Sequence, residues 1–372
     1  LWYVLTAKAQ YKLRNAEQYF KEHLSAGDYY TEGNHVPGRW FGAGAKELGL
    51  SGAVGLDDFV KLCRNINPNS DERMTQRMKT TGRRVFYDFT LSPPKSVSVL
   101  GLVCGDHRIE ESHQRAAGVA VEELERFASA RVRKNWASGY RATGNVVGAM
   151  FHHDSSRALD PHLHCHCIVF NATRDHVEGR WKALETYEML AACKYVENVY
   201  YHELAKDLRR CGYELENKRR GDFEVVGVPQ EMIERFSKRH CEIDEKTRQL
   251  VKSSPEKQNQ NVKDIREHIA HNERARKIKD IGRKRLESVW DAQISAREKA
   301  QLSTLPRPAH KITPNSAAGI AAIAWAEEHL FDRRSVVNEF ELWRHALERG
   351  RGENFSLKSL HSLTNVRPYV RD

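Results

Sequence analysis

The chain has 372 residues, 40% of them hydrophobic, enough for one large domain plus a smaller one around a packed core. No apolar run approaches the ~18 residues of a spanning helix, and the opening LWYVLTAKAQ turns polar too soon for a secretion signal, which sets membrane-spanning and exported classes aside. A net charge of +10 favours an anionic partner, and seven cysteines without a repeating frame favour a reduced, cytoplasmic setting over a disulfide scaffold. The sequence starts at Leu1 rather than Met, as expected of a chain trimmed from a longer one.

In chain order, alternating and helical periodicities predict a mixed first part of about 235 residues. LWYVLTA reads as a strand and NAEQYFKEHL as a helix. RRVFYDFTL is a strand ended by SPPKS, and the apolar helix SVSVLGLVC follows, with Ser92 as its expected N-cap and Pro93 or Pro94 in its first turn. A long helix is predicted from Ile109 to Lys134. GNVVGAMFHH and HLHCHCIVFN read as two strands joined by a polar loop. Helix AACKYVENVYYHELAKDLRRCG and strand FEVVGV close this part. From Glu231 to Lys299 the chain is charged, helical and poor in large apolar residues, either a solvated face or a nucleic-acid clamp. STLPRPAHKITPNS reads as a linker, and two amphipathic helices follow from Ala317.

The stretch DPHLHCHCIVF carries the chemistry. Alternate residues of a strand share a face, so His162, His164 and His166 point one way while Leu163, Cys165, Cys167 and Val169 line the other. The outer two histidines would stand ~13 Å apart at ~3.3 Å per residue. A single ion with bonds of ~2.1 Å is better served by a neighbouring pair, with a third ligand from the adjacent strand, where FHHD offers His152 or His153. Neutral imidazoles leave the full charge on an ion and leave coordination positions open, which suits polarising a substrate oxygen. A lone His-x-His on a strand is ordinarily just two histidines; the nearby HH pair is what raises the metal reading.

HLHCHCIVFNAT resembles the His-hydrophobic-His strand of HUH endonucleases. With YF…DYY, WFGAGAKELGLSG, YDFTLSPPKSVSV, TGNVVGAMFHHDSSRALDPHLHCHCIVFNAT and GRWKALE in order, most of residues 1–235 resembles the nicking domain of MobF-type conjugative relaxases, the front part of relaxase–helicases. The resemblance implies an α+β fold, an antiparallel sheet palm flanked by helices, with a helical fingers segment. On that reading residues 1–235 are the catalytic palm and 236–300 the fingers that clamp DNA; 301–316 form a linker and 317–372 begin a helicase-related region. It implies one divalent ion (magnesium, manganese or zinc) held by His153, His164 and His166, with His152 and His162 outside the ligand set. Tyr19 is implied as the primary nucleophile, with Phe20 where a second tyrosine is common; Tyr29 and Tyr30 match a second pair.

A phenol with a pKa of ~10 needs help to attack at neutral pH. Asp88, polar within an apolar strand, can take the tyrosine proton, orient a metal-bound histidine, or do both. Arg84, four residues earlier, is expected on the same face. Lys95, at a helix N-terminus, and Arg157, between the histidine strands, complete the candidate DNA contacts, each equally readable as a surface charge. The implied partners are single-stranded DNA at a plasmid origin of transfer and accessory DNA-binding and coupling proteins. The implied reaction is strand-specific nicking and rejoining in the bacterial cytoplasm. A rolling-circle replication initiator, a transposase, or a non-catalytic metal-containing DNA-binding protein are the alternatives. No G-x-x-x-x-G-K-[ST] loop occurs, so ATP hydrolysis is not expected of this chain alone.

Overall fold

The structure is a computed structural model. It describes residues 5–11, 38–76, 83–134, 137–218, 222–253, 282–306 and 313–367, with Leu13, Val262, Ile265, Arg266, Ile269 and Tyr369. The helix expected at 15–24, and with it Tyr19, Tyr29 and Tyr30, lies outside the described residues.

The first seven strands in chain order are β1 (Leu5–Gln10), β2 (Arg39–Phe41), β3 (Phe86–Leu91), β4 (Ser129–Lys134), β5 (Ala137–Ala142), β6 (Gly148–Ser155) and β7 (Pro161–Phe170) among the described residues. Five of them form the central sheet in the order β1-β3-β7-β6-β2, every pair antiparallel. The histidine strand β7 is therefore central, with partners on both sides, and it is rich in the apolar residues that such a position requires. The expected antiparallel sheet flanked by helices is what the structure shows.

The two faces of this sheet have different fates. Leu163, Cys165, Cys167 and Val169, with Tyr87, Phe89 and Leu91 from β3, enter one large core with helices Lys95–Leu102, His107–Glu125 and Cys193–Arg210. This is the face the alternation predicted for the two cysteines, and burial pushes the Cys165 thiol well above its usual range. On the opposite face Phe86, Phe151, Ile168 and Phe170 pack beneath helix Leu56–Cys63 through Phe59, whose ring centroid is 5.0 Å from that of Phe170. That apolar half of the face ends where the histidines begin.

Several boundaries differ from expectation. The long helix stops at Glu125, and SARVRK forms β4, paired with β5 in a ribbon. Its alternating pattern suits a strand, and the helical stretch before it had masked that. The helix after SPPKS begins at Lys95 with Pro94 as N-cap and without a side-chain cap, so Ser92 lies outside it. The tail has three helices, Ser316–Phe331, Glu339–Arg349 and Leu357–Asn365, not two. Trp290, Leu302, Trp343 and Leu360 belong to the same core cluster as the strand residues, so the boundaries drawn at 235 and 316 do not interrupt it. No described helix is long and apolar enough to cross a membrane.

Phe59 is fully buried against Phe86, Phe151 and Phe170. Phe59→Ala is expected to cost about 3–5 kcal/mol of stability, as large aromatic truncations in closed cores do. Equilibrium urea unfolding checks this, and a loss below about 1 kcal/mol would mean that the site's floor is not built by this cluster.

Candidate metal centre

Register brings the histidines together. In the β6–β7 ladder His153 stands directly opposite His164, and Phe151 opposite His166. His153 therefore shares a face with both strand-β7 histidines, while His152 turns to the other side. The ring centroids of His153, His164 and His166 form a near-equilateral triangle with sides of 5.1, 5.2 and 5.2 Å. One nitrogen from each lies within 4.8 Å of the others, and all three rings are half-buried. Strand parity thus groups His153, and not His152, with His164 and His166.

Hydrogen bonds settle which nitrogens face inward. Nδ1 of His166 lies 2.9 and 3.0 Å from the two carboxylate oxygens of Asp88, and Nδ1 of His164 lies 2.9 Å from the carbonyl oxygen of His162. Neither a carboxylate nor a carbonyl can donate, so each Nδ1 carries the proton and each Nε2 keeps a lone pair. The Thr90 hydroxyl donates to Asp88 (3.2 Å), and Asp88 is 2% exposed. A buried carboxylate oriented this way raises the basicity of a ligating imidazole and fixes its ring. The donor set fits a divalent ion that accepts nitrogen ligands.

His152 and His162 have other surroundings. Burial, with Arg39 nearby, pushes His152 down to about 4, and its ring meets His113 at 5.7 Å on the helix-covered face. His162 stacks on His164 at 5.0 Å with 26° between the ring planes, and burial holds it well below its usual range. Both are held neutral, and His162 contacts a candidate ligand without joining the cluster.

The candidate DNA contacts are distributed differently. Arg84 precedes β3, so strand alternation does not extend to it; its guanidinium donates to the Tyr87 hydroxyl (3.0 Å), on the side opposite Asp88. Lys95 is 5% exposed and donates to the Pro161 carbonyl (2.9 Å), tying the helix N-terminus to the start of β7. Burial lowers its ammonium to about 8, against the opposing pull of Asp160 and Glu224. Arg157 lies half-buried in the loop between the histidine strands.

A basic ribbon escaped the sequence reading. Residues 129–142 contain no acidic residue, and β4–β5 exposes Arg131, Arg133 and Tyr140, with Arg131 across the ladder from Tyr140. Alternation in SARVRK was the available signal. Arg141 anchors the ribbon to Asp175 (2.8 Å), whose carboxylate lies well below the usual range through Lys182 and Arg141 despite burial, which pushes the other way.

Comparisons with known proteins agree with this geometry. Residues 13–297 match the family model described as TrwC relaxase. The multifunctional conjugation protein TraI of Escherichia coli strain K12 is 36% identical over 238 residues, which cover 59% of this chain and 13% of that protein. The chain thus spans about an eighth of the length of that relative. Two solved structures of the conjugative relaxase TrwC in complex with oriT DNA, one metal-bound and one metal-free, are each 31% identical. Each covers 78% of this chain and 96% of theirs, with TM-scores of 0.67 and 0.68. With a family match across more than half its length and this fold beneath it, the chain belongs to the TrwC relaxase family.

Proposed function

We propose that this chain nicks and rejoins single-stranded DNA at an origin of transfer, using a tyrosine as nucleophile and one divalent ion at His153, His164 and His166. The observation that carries this reading is the histidine triangle, with two of its Nδ1 atoms engaged so that Nε2 faces a common point. The TrwC structures, in complex with oriT DNA and in one case metal-bound, support the substrate and the ion. The conjugation protein TraI supports the biological setting. Replication-initiator and transposase readings find no counterpart in these relatives, and a purely structural metal ordinarily takes four protein ligands, where three imidazoles cluster among the described residues.

A bound divalent ion would supply positive charge to the non-bridging oxygens of the scissile phosphate as charge grows there. Tyr19 attacks the phosphorus: a phenolic O–P bond forms and the P–O3′ bond breaks. The phenolic proton leaves as the new bond forms and the departing O3′ takes one up, giving a 5′-phosphotyrosyl protein and a free 3′-hydroxyl. One phosphodiester replaces another, so the step is close to balanced and reverses on rejoining. Eight residues lie between Gln10, the end of β1, and Tyr19, and an extended chain reaches about 3.3–3.6 Å per residue, so chain length does not prevent approach. Tyr29 performs a second transfer in this scheme. Asp88 acts as the orienter of His166, since both of its oxygens are directed at Nδ1. Arg84, Lys95, Arg157 and the exposed β4–β5 ribbon supply cations and an aromatic surface for the strand, with Arg84 held by the Tyr87 hydroxyl and Lys95 by the Pro161 carbonyl. Magnesium, manganese and zinc all suit the site, and accessory DNA-binding and coupling proteins belong to the same scheme. Seven free cysteines and a DNA substrate favour the bacterial cytoplasm.

Tyr19→Phe is expected to abolish covalent attachment to a cleavable single-stranded oligonucleotide while leaving DNA binding within a few-fold. Denaturing gels of the protein–DNA adduct read this, and undiminished adduct would remove Tyr19 from the reaction. Asp88→Asn is expected to weaken metal affinity by about 10–100-fold, the usual loss when a partner of a ligating imidazole is removed. Isothermal titration with manganese measures it. A strand-cleavage rate that falls while metal affinity holds would instead make Asp88 the base.

A further inference from the structure

The loop joining the two histidine strands, residues 156–160, is held from outside the sheet by the charged helical segment. Trp290, fully buried in helix Arg283–Asp291, donates its indole N–H to the Leu159 carbonyl at 2.7 Å. Leu159 has φ of 60°, a backbone region that a branched side chain occupies only when its surroundings hold it there. The Asp160 carboxylate, 2% exposed, accepts from the backbone N–H of Lys238 at 3.0 Å, the first residue of helix Lys238–Ser253. Arg283 pairs with Asp154 at 2.8 Å, with Glu287 at 2.8 Å, and lies 3.6 Å from Glu110. Asp154 is 3% exposed.

Asp154 directly follows His153. Regular pairing of β6 with β7 runs as far as His153–His164 and resumes at Ser155–Pro161 with a register shift. The ladder therefore does not fix the peptide after His153, and the carboxylate of Asp154 is anchored by Arg283 instead. A binding constellation tolerates errors of about 0.5 Å and 10–20°. A swing of that size at the irregularity carries the His153 ring nitrogen out of tolerance.

We propose that Arg283 is a positioning residue for His153, so that metal affinity and the seating of the helical segment on the palm are one linked equilibrium. The inference rests on reading His153 as a metal ligand. Linkage is reciprocal: an ion that prefers the seated arrangement must also stabilise it. The helical segment is then a working part of the metal site, in addition to any contact it makes with DNA.

The test uses the full 372-residue chain without DNA. Zinc and manganese affinities are measured by isothermal titration for the wild type, Arg283→Ala, Arg283→Lys and Glu110→Gln, with amide exchange of the wild type read with and without zinc. Arg283→Ala is expected to bind metal about 10-fold or more weakly, Arg283→Lys to recover most of that loss, and Glu110→Gln to match the wild type. Exchange across residues 283–291 is expected to slow when zinc is added. Wild-type affinity in a folded Arg283→Ala protein overturns the proposal and leaves the metal reading standing. Should that variant not fold, exchange at 283–291 that ignores zinc overturns it equally. Failure of the wild type itself to bind either ion would remove the metal reading, and this inference with it.

Discussion

The antiparallel register of Gly148–Ser155 against Pro161–Phe170 is the constraint from which the site follows. It puts His153 opposite His164 and one step along from His166, so three imidazoles from two strands share one half-buried patch. A slip of one residue would turn His152 inward and send His153 to the helix-covered side. The register is defended by apolar packing on both faces: Cys165, Cys167 and Val169 on one, Phe151, Ile168 and Phe170 on the other. Core packing and ligand geometry are thus two consequences of the same alternation.

Around that register the protein arranges charge sparingly. The candidate ligands keep their Nε2 lone pairs because Nδ1 is spoken for, by a buried carboxylate at His166 and by a backbone carbonyl at His164. The neighbouring histidines, 152 and 162, are held neutral by burial, so they add no positive charge that would oppose a cation. Lys95 is one nearby cation, and its ammonium is turned to the Pro161 carbonyl at the strand's start. Behind the loop, Arg283 pairs with Asp154, and Lys238 meets Asp160 through its backbone N–H and, at 3.7 Å, its ammonium.

Much of this was legible in the sequence because period-2 alternation is a local signal. The sharing of a face by His164 and His166 and the burial of both cysteines follow from it; the antiparallel palm came from the resemblance. Whether His152 or His153 completes the set was not, since that depends on cross-strand pairing; resemblance supplied the answer and the ladder gives its cause. The place of Asp88 was half legible: a lone carboxylate in an apolar strand announced a role, and only the contact with His166 Nδ1 distinguishes an orienter. Arg84 and Lys95 were legible only in part. Spacing located their backbones, but the Tyr87 hydroxyl and the Pro161 carbonyl that they bond to are tertiary neighbours that spacing does not encode. The tethers of Arg283 and Trp290 to the histidine loop, more than a hundred residues away in sequence, had no local signature at all.

Nitrogen-15 histidine spectra of the metal-free protein near neutral pH, followed by a zinc titration, test the central claim most directly. The account predicts that His164 and His166 carry their proton on Nδ1, and that zinc shifts the Nε2 signals of His153, His164 and His166 together while those of His152 and His162 keep theirs. Protonated Nε2 at His164 and His166, or zinc-induced shifts at His152 in place of His153, would contradict it.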